Sequence, residues 1–428
     1  MHKLTRRDFA RLLTVAGTGV CLNMLGSAAR AASGARPRVV VIGAGFGGAT
    51  CANFLRSYGP QLDVTVVEPK KQYITCPFSN TVIGGINDMS YITYDYAQLQ
   101  ARRGCKLVQD TVTAIDANAR VVRLKGGGTL AYDRLVVAPG IEFQWDKIAG
   151  HSLAASAGIP HAWIAGEQTQ ILIKQLQGMP DGGVVIVAAP RKPFRAPPAI
   201  LERASLIAYY LSVNKPKSKV LVLDPNDAEP KLAQFLKAWG EMYPGMIERI
   251  SGPAAQVTRL DAAARTVYGP NGESYKGAVI NLVPPQTAAA IAATAGLTDK
   301  SGWCPVNPAS FESTLQKSVY VIGDSCIAGD MLKSACSANV QAKACAAAII
   351  SSLNGAKMHE QALTTAFYSL AGPKFAISEV QTYRAVNGRL MSVAGGVSET
   401  SAAKRIRLKE AEYAAGWYKS ITAEMLAL

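Results

Sequence analysis

The stretch that most restricts the fold is "RVVVIGAGFGGATCANFLRSYG", Arg38 to Gly59, with "LDVTVVEP", Leu62 to Pro69, directly after it. Val39 to Ile42 is a short, continuous apolar run, the pattern of a strand buried on both faces of a parallel sheet. Gly43, Gly45 and Gly48 form G-x-G-x-x-G ahead of a helix through Ala49 to Tyr58, and the next strand ends in Glu68, 20 residues after Gly48. The glycines let the backbone turn tightly and approach a pyrophosphate at the helix N-terminus, and the acid accepts hydrogen bonds from a ribose. The glycine motif alone is weak. Strand, glycines, helix, strand and acid in this order specify a dinucleotide-binding α/β unit. Glu68 at this strand end, without arginines, disfavours a 2′-phosphate.

The chain has 428 residues, enough for two or three domains, and 49% hydrophobic against 18% charged residues provides for a packed core. At the N-terminus "TRRDFAR" places Arg6 and Arg7 before the apolar run "LLTVAGTGVCLNMLG", and small residues around Ala29-Arg30-Ala31 suit cleavage. This pattern predicts a twin-arginine export signal over 1–31, hence a folded, cofactor-loaded protein working in the periplasm. The run is short and interrupted for a membrane span, and no later stretch qualifies as one.

The formal charge is +15, and removing 1–31 leaves +11. The basic residues are scattered, which argues against nucleic acid and for an anionic substrate or acidic protein partner. Seven cysteines follow residue 31, an odd number, and there is neither a C-x-x-C pair nor the C-x-x-C-H of an attached haem. With only four histidines, a zinc site is not expected.

Two further segments, "YDRLVVAPG" (Tyr132–Gly140) and "STLQKSVYVIGDS" (Ser313–Ser325), are strands running into small-residue turns. Both resemble motifs of the two-dinucleotide-domain flavoproteins related to glutathione reductase, which implies FAD, with Asp324 on the ribityl chain. The helix beginning in "SANVQAKACAAAIISSL" then points its N-terminus at the flavin. In the central region, "GGVVIVAAP" is followed by "RKPFRAPPAI", prolines where a nicotinamide dinucleotide would require glycines. That domain is expected to keep the fold without the NAD site. The C-terminal part reads as a hairpin, "EVQTYRAVNGRLMSVAGGVSE", and a closing helix.

The expected fold is therefore α/β: two Rossmann-like, three-layer dinucleotide-binding domains of the glutathione reductase type plus a small α+β C-terminal domain. The expected boundaries are 37–150 with 291–355 for FAD, 151–290 for the second domain, and 356–428 for the last.

The segments "QYITCPFSNTVIGG", "HAWIAGEQT", "PFRAPPAILERAS", "INLVPPQ", "GWCPV", "VIGDSCI" and "KSACSANVQAKACAAA" run in order through the chain. Together they resemble the flavoprotein subunit of flavocytochrome c sulfide dehydrogenase, a relative of sulfide:quinone reductase. The resemblance implies a periplasmic FAD-dependent oxidoreductase that passes electrons from sulfide to a separate c-type cytochrome subunit. It also implies covalent attachment of the flavin through Cys76, in a segment matching at Thr75, Cys76, Ser79 and Asn80. The other reading of Cys76 is a buried, inert thiol.

The chain departs from the family at its redox disulfide. The resemblance places one half at Ala196 and the other at Phe367, and neither can accept sulfur or form a thiolate. Cys336 stands where the family has an aromatic residue, at the start of the helix facing the flavin. It is either a relocated reactive thiol, assisted by Lys333 and acting alone or with Cys345 or Cys304, or a packed one. Cys345 lies nine residues on, about 13 Å along a helix, too far for a disulfide. Glu202, with Arg203 beside it, is the retained acid and either accepts a proton from the donor or is a surface helix charge. Three functions follow: oxidation of a reduced sulfur compound, oxidation of a different small donor, or an electron-transfer accessory subunit without substrate chemistry.

Overall fold

The computed structural model describes residues 36–358 and 360–428; the expected export signal at 1–31 lies outside them. The apolar run forms strand β1 (Arg38–Ile42), whose last four residues are buried. The G-x-G-x-x-G turn leads into helix α1 (Phe46–Tyr58) and strand β2 (Asp63–Val67) follows. A Cβ on Gly48 would stand 1.8 Å from the Gly43 carbonyl oxygen, and Gly43 itself has φ +86° with Ala138 O at 2.4 Å from a Cβ position. Only glycine fits this crossing of strand and helix. Strands β3 (Lys106–Val108) and β4 (Arg134–Val137) extend the sheet on either side.

A second parallel sheet comes from strand β5 (Val184–Ala188), helix α2 (Ala199–Asn214) and strands β6 (Lys219–Asp224), β7 (Ile247–Ser251) and β8 (Val279–Leu282), in the order β7-β6-β5-β8. The link from β5 to α2 runs through Pro190, Pro193, Pro197 and Pro198. Asp224, which ends β6 as Glu68 ends β2, is occupied internally: Arg249 lies 2.8 Å away and Asn226 donates to it.

The chain then returns to the first sheet with β9 (Val319–Val321), giving the all-parallel order β9-β4-β1-β2-β3. Helix α3 (Ala335–Leu353), capped by Ser334 and rich in alanine, packs on α1 to cover one face. Strands Val112–Asp116, Val121–Leu124 and Thr129–Ala131 form a small antiparallel sheet that completes this domain. The last part is an antiparallel sheet of β10 (Leu363–Gly372), β11 (Phe375–Val386) and β12 (Arg389–Val397), closed by helix α4 (Lys404–Leu426). Its β11–β12 turn is Asn387-Gly388, both at positive φ, the chemistry of a type I′ hairpin. The architecture is the expected pair of Rossmann-like domains of the glutathione reductase type with an α+β C-terminal unit.

Candidate active site

One cavity of about 600 Å³ lies across the C-terminal ends of β1, β2, β4 and β9, where parallel sheets of this kind open their binding crevice. Gly43, Gly45, Glu68, Gly323 and Asp324 line it from the first domain, and Ala335 and Cys336 from the start of α3. Cys76, Asn80, Arg195, Ala196 and Glu202 line the other side with Phe367 and Trp417 of the C-terminal unit.

The first group fits an FAD. Glu68 is fixed by the glycine turn: Ala44 N–H donates to Oε2 at 2.9 Å and Lys70 N–H to Oε1 at 3.1 Å. Asp324 follows β9 on a turn made by Gly323 at φ +77°. Its Oδ1 is buried with no partner, while Oδ2 lies 3.8 Å from Arg195 Nη1. Burial raises its pKa, against the pull of Arg195 and Lys333. A buried carboxylate oxygen without a donor needs one, and a polyol hydroxyl supplies it. The α3 N-terminus on the same cavity favours negative charge.

Cys76 is half-buried, and its Sγ donates to Trp163 O at 3.6 Å. The segment around it is tied down by side-chain contacts. Thr75 Oγ1 bonds Tyr418 OH at 2.6 Å, Ser79 Oγ donates to Cys76 O at 2.7 Å, and Phe78 stacks on Tyr418 with ring centroids 4.6 Å apart. Arg195 bridges the halves of the site: its Nη2 donates to Trp163 O and its Nη1 faces Asp324. Burial would lower its pKa, but Cys76 and Asp324 outweigh burial and raise it.

Ala196 and Phe367, far apart in sequence, line the same cavity. Ala196 has φ +50° and donates its N–H to Lys333 O at 2.7 Å. The Phe367 ring carries Lys231 Nζ 3.9 Å from its centroid. Glu202, in the first turn of α2, is a cavity residue and not a surface charge. Its Oε1 accepts from Leu370 N–H and its Oε2 from Asn80 Nδ2, both at 2.8 Å. Burial raises its pKa despite these donors, so it holds a proton to higher pH than an ordinary glutamate. Arg203 turns away from it, to Asn80 Oδ1 (2.5 Å), Asn281 Oδ1 (2.8 Å) and Ala162 O (2.7 Å), and burial pushes its pKa down to about 10.

Cys336 does line the cavity, and of its two readings its burial favours the packed thiol. It is buried, and burial pushes its thiol up to about 11. The helix start does not prevail because Lys333 is engaged elsewhere: Nζ donates to Asp324 O and Cys326 O and sits 3.8 Å from the Trp303 centroid. Neither suggested partner is at hand. Cys345 lies beside Cys51, and Cys304 pairs in register with Cys326. All seven cysteines after residue 31 are free.

Sequence reasoning missed Arg195, Trp163, Trp417 and Lys231. Arg195 had a signal, since it adjoins Ala196 inside a quoted motif; Lys231, in "NDAEPKLAQF", reads as one more loop charge.

Three family models match: pyridine nucleotide-disulphide oxidoreductase over 37–157, the central part of the sulfide dehydrogenase [flavocytochrome c] flavoprotein chain over 169–284, and the flavocytochrome c sulphide dehydrogenase flavin-binding part over 360–426. A sulfide dehydrogenase [flavocytochrome c] flavoprotein chain from Chlorobaculum thiosulfatiphilum is 60% identical over 45 residues, 10% of this chain and 94% of that sequence. The chain belongs to the flavocytochrome c sulfide dehydrogenase flavoprotein family.

The chain is accordingly an FAD-dependent oxidoreductase. A mitochondrial sulfide:quinone oxidoreductase from Dictyostelium discoideum is 24% identical over 299 residues, 67% of this chain and 65% of that protein's own length. The solved sulfide:quinone oxidoreductase of Aquifex aeolicus superposes with a TM-score of 0.71 at 17% identity, covering 92% of this chain and 93% of the other, a likeness of fold. Among the described residues no helix is long and apolar enough to cross a membrane.

Proposed function

We propose that the chain is the flavin-bearing subunit of a periplasmic sulfide dehydrogenase that oxidises a reduced sulfur compound and passes the electrons to a separate c-type cytochrome. One observation carries the reading: a single cavity joins Glu68 and Asp324 to Cys76 and Glu202. A bound FAD would supply the two-electron redox chemistry between the donor and a haem. Glu68, fixed by the Ala44 amide, would hold the ribose end, and the unpartnered Asp324 Oδ1 would take a hydroxyl of the ribityl chain. Cys76 would carry the covalent link as a thioether in place of its S–H, in a segment held by Thr75, Ser79 and Tyr418. Glu202, whose proton affinity burial raises, receives as a carboxylate the proton of an incoming S–H group.

Ala196 and Phe367 leave no sulfur at those two positions to accept a sulfur atom, so the donor delivers its electrons without an enzyme persulfide there. The same observation favours a second reading, a donor other than sulfide or an accessory electron carrier. Anaerobic stopped-flow of the holoprotein with sulfide, followed by flavin absorbance, separates them. Fast bleaching supports sulfide as donor. A wild type that stays oxidised beside an Ala196→Cys/Phe367→Cys variant that is reduced overturns it. Flavin that stays with acid-precipitated wild type and leaves Cys76→Ser supports the covalent link; release from both overturns it.

A further inference from the structure

Lys231 is fully buried, at 0% exposure, one residue before the helix Leu232–Met242. A buried ammonium is costly unless it is paired or serves a purpose. Its Nζ lies 3.3 Å from Glu379 Oε2 and 3.1 Å from Ser369 Oγ, and 3.9 Å above the Phe367 ring, which lines the cavity. One carboxylate, Glu379 of β11, contacts this ammonium; Glu202 of α2 and Glu229, two residues before Lys231, act on it through their charge.

These groups form a row from the cavity to the surface. Glu202 takes the N–H of Leu370, and Lys231 bonds the preceding residue of β10, Ser369. On the outer side, Glu229 Oε1 lies 2.7 Å from Lys192 Nζ, whose side chain is 38% exposed. Between the two ends, Glu229 Oε2 is buried without a hydrogen-bond partner, on a side chain 3% exposed, while Glu379 Oε2, on a side chain 5% exposed, has the Lys231 ammonium at 3.3 Å. A buried carboxylate oxygen without a donor, next to a second acid, is the condition for a shared proton or a bridging water. Asp224, the other acid facing Glu229, is held by Arg249 at 2.8 Å. Arg203, the other cation facing Glu202, is held by Asn80 and Asn281. A single buried ion pair would need one acid; here Glu202 lines the cavity on one side of the Lys231–Glu379 pair and Glu229 meets the exposed Lys192 on the other.

We propose that Glu202, Lys231, Glu379 and Glu229 form a proton path between the cavity and the surface at Lys192, with Lys231 as a positioning residue that acts through Glu202. The inference rests on the reading of Glu202 as the proton acceptor. The Lys231 ammonium passes a proton to the Glu379 carboxylate, and the neutral amine then takes the one that Glu202 received from the donor S–H. Glu379 hands its proton through Glu229 to water at Lys192. Each transfer breaks one bond to hydrogen and forms another, the donor's two electrons go to FAD, and the row returns to its starting charges.

The test uses the holoprotein and two variants: Lys231→Met/Glu379→Gln, which removes both charges of the buried pair together, and Glu229→Gln, near the surface. Photoreduction of the flavin in lightly buffered solution with a pH indicator reads proton uptake without any sulfur donor. Proton uptake should keep pace with bleaching in wild type and lag at least tenfold in the double variant, with a smaller lag in Glu229→Gln. Stopped-flow reduction by sulfide across pH should show a matching loss of rate and a displaced pH profile. Proton uptake that keeps pace in both variants overturns the path. A lag on photoreduction in a protein that sulfide does not bleach supports the path and overturns sulfide as donor.

Discussion

Asn80 holds two buried ions of opposite sign at once: its Nδ2 donates to Glu202 Oε2 and its Oδ1 accepts from Arg203 Nε. Removing the amide leaves a buried guanidinium N–H without an acceptor and weakens the fixing of the acid. Asn80→Ala is expected to cost about 2–4 kcal/mol in denaturant unfolding, since an unpaired buried charge is the expensive case. Cys336 makes the opposite point. A thiol pushed up to about 11 is about one part in a thousand thiolate at pH 8. Native protein should resist iodoacetamide at Cys336, read by mass spectrometry, and become labelled there once unfolded. Labelling in the native state would restore it as a reactive thiol.

At the level of elements, the crossing of α1 over β1 depends on the absence of side chains. Gly48→Ala places a methyl carbon 1.8 Å from the Gly43 carbonyl, so the turn must open and the amides facing the ribose end move. FAD content, read as the ratio of flavin to protein absorbance, is expected to fall more than tenfold, while the second domain keeps its far-ultraviolet signature. Helix α4 works in the other direction. It belongs to the C-terminal unit, yet it brings Trp417 to the cavity and Tyr418 to Thr75, beside Cys76. Its sequence shows the period of a helix but not which domain receives its buried face.

For the whole molecule, the passage from the first sheet to the second is a place where pH acts. His151 and His161 are buried there against Trp145 and Phe143, and both nitrogens of His151 lack partners. Burial pushes His151 down to about 4, and burial with Arg203, Arg195 and His151 pushes His161 down to about 3. An unfolded histidine titrates near 6.5, so below that pH the unfolded chain binds protons that the fold refuses. Stability should be full above pH 6.5, decline as the pH falls toward 4, and for His161 toward 3. His151 alone accounts for a loss on the order of 3 kcal/mol. Thermal melts from pH 7 to pH 4 should show the decline, and His151→Phe should flatten it; an unchanged slope would mean the acid loss originates elsewhere.

The sequence by itself determined the dinucleotide crevice. Its parts are local: an apolar strand, a turn only glycine can make, a helix start and an acid at the next strand end, all within Arg38 to Glu68. Asp324 was legible through the resemblance of its strand-Gly-Asp segment to that of the glutathione-reductase-type flavoproteins. The meeting of Ala196 with Phe367, the hold of Arg195 on Asp324 and the burial of Lys231 against Glu379 belong to the tertiary structure alone. Each joins residues of different domains or distant strands, where packing decides contact. The same burial raised Cys336 against its favourable place at a helix start, because desolvation outweighs a helix dipole when the nearby ammonium of Lys333 is spent on carbonyl groups.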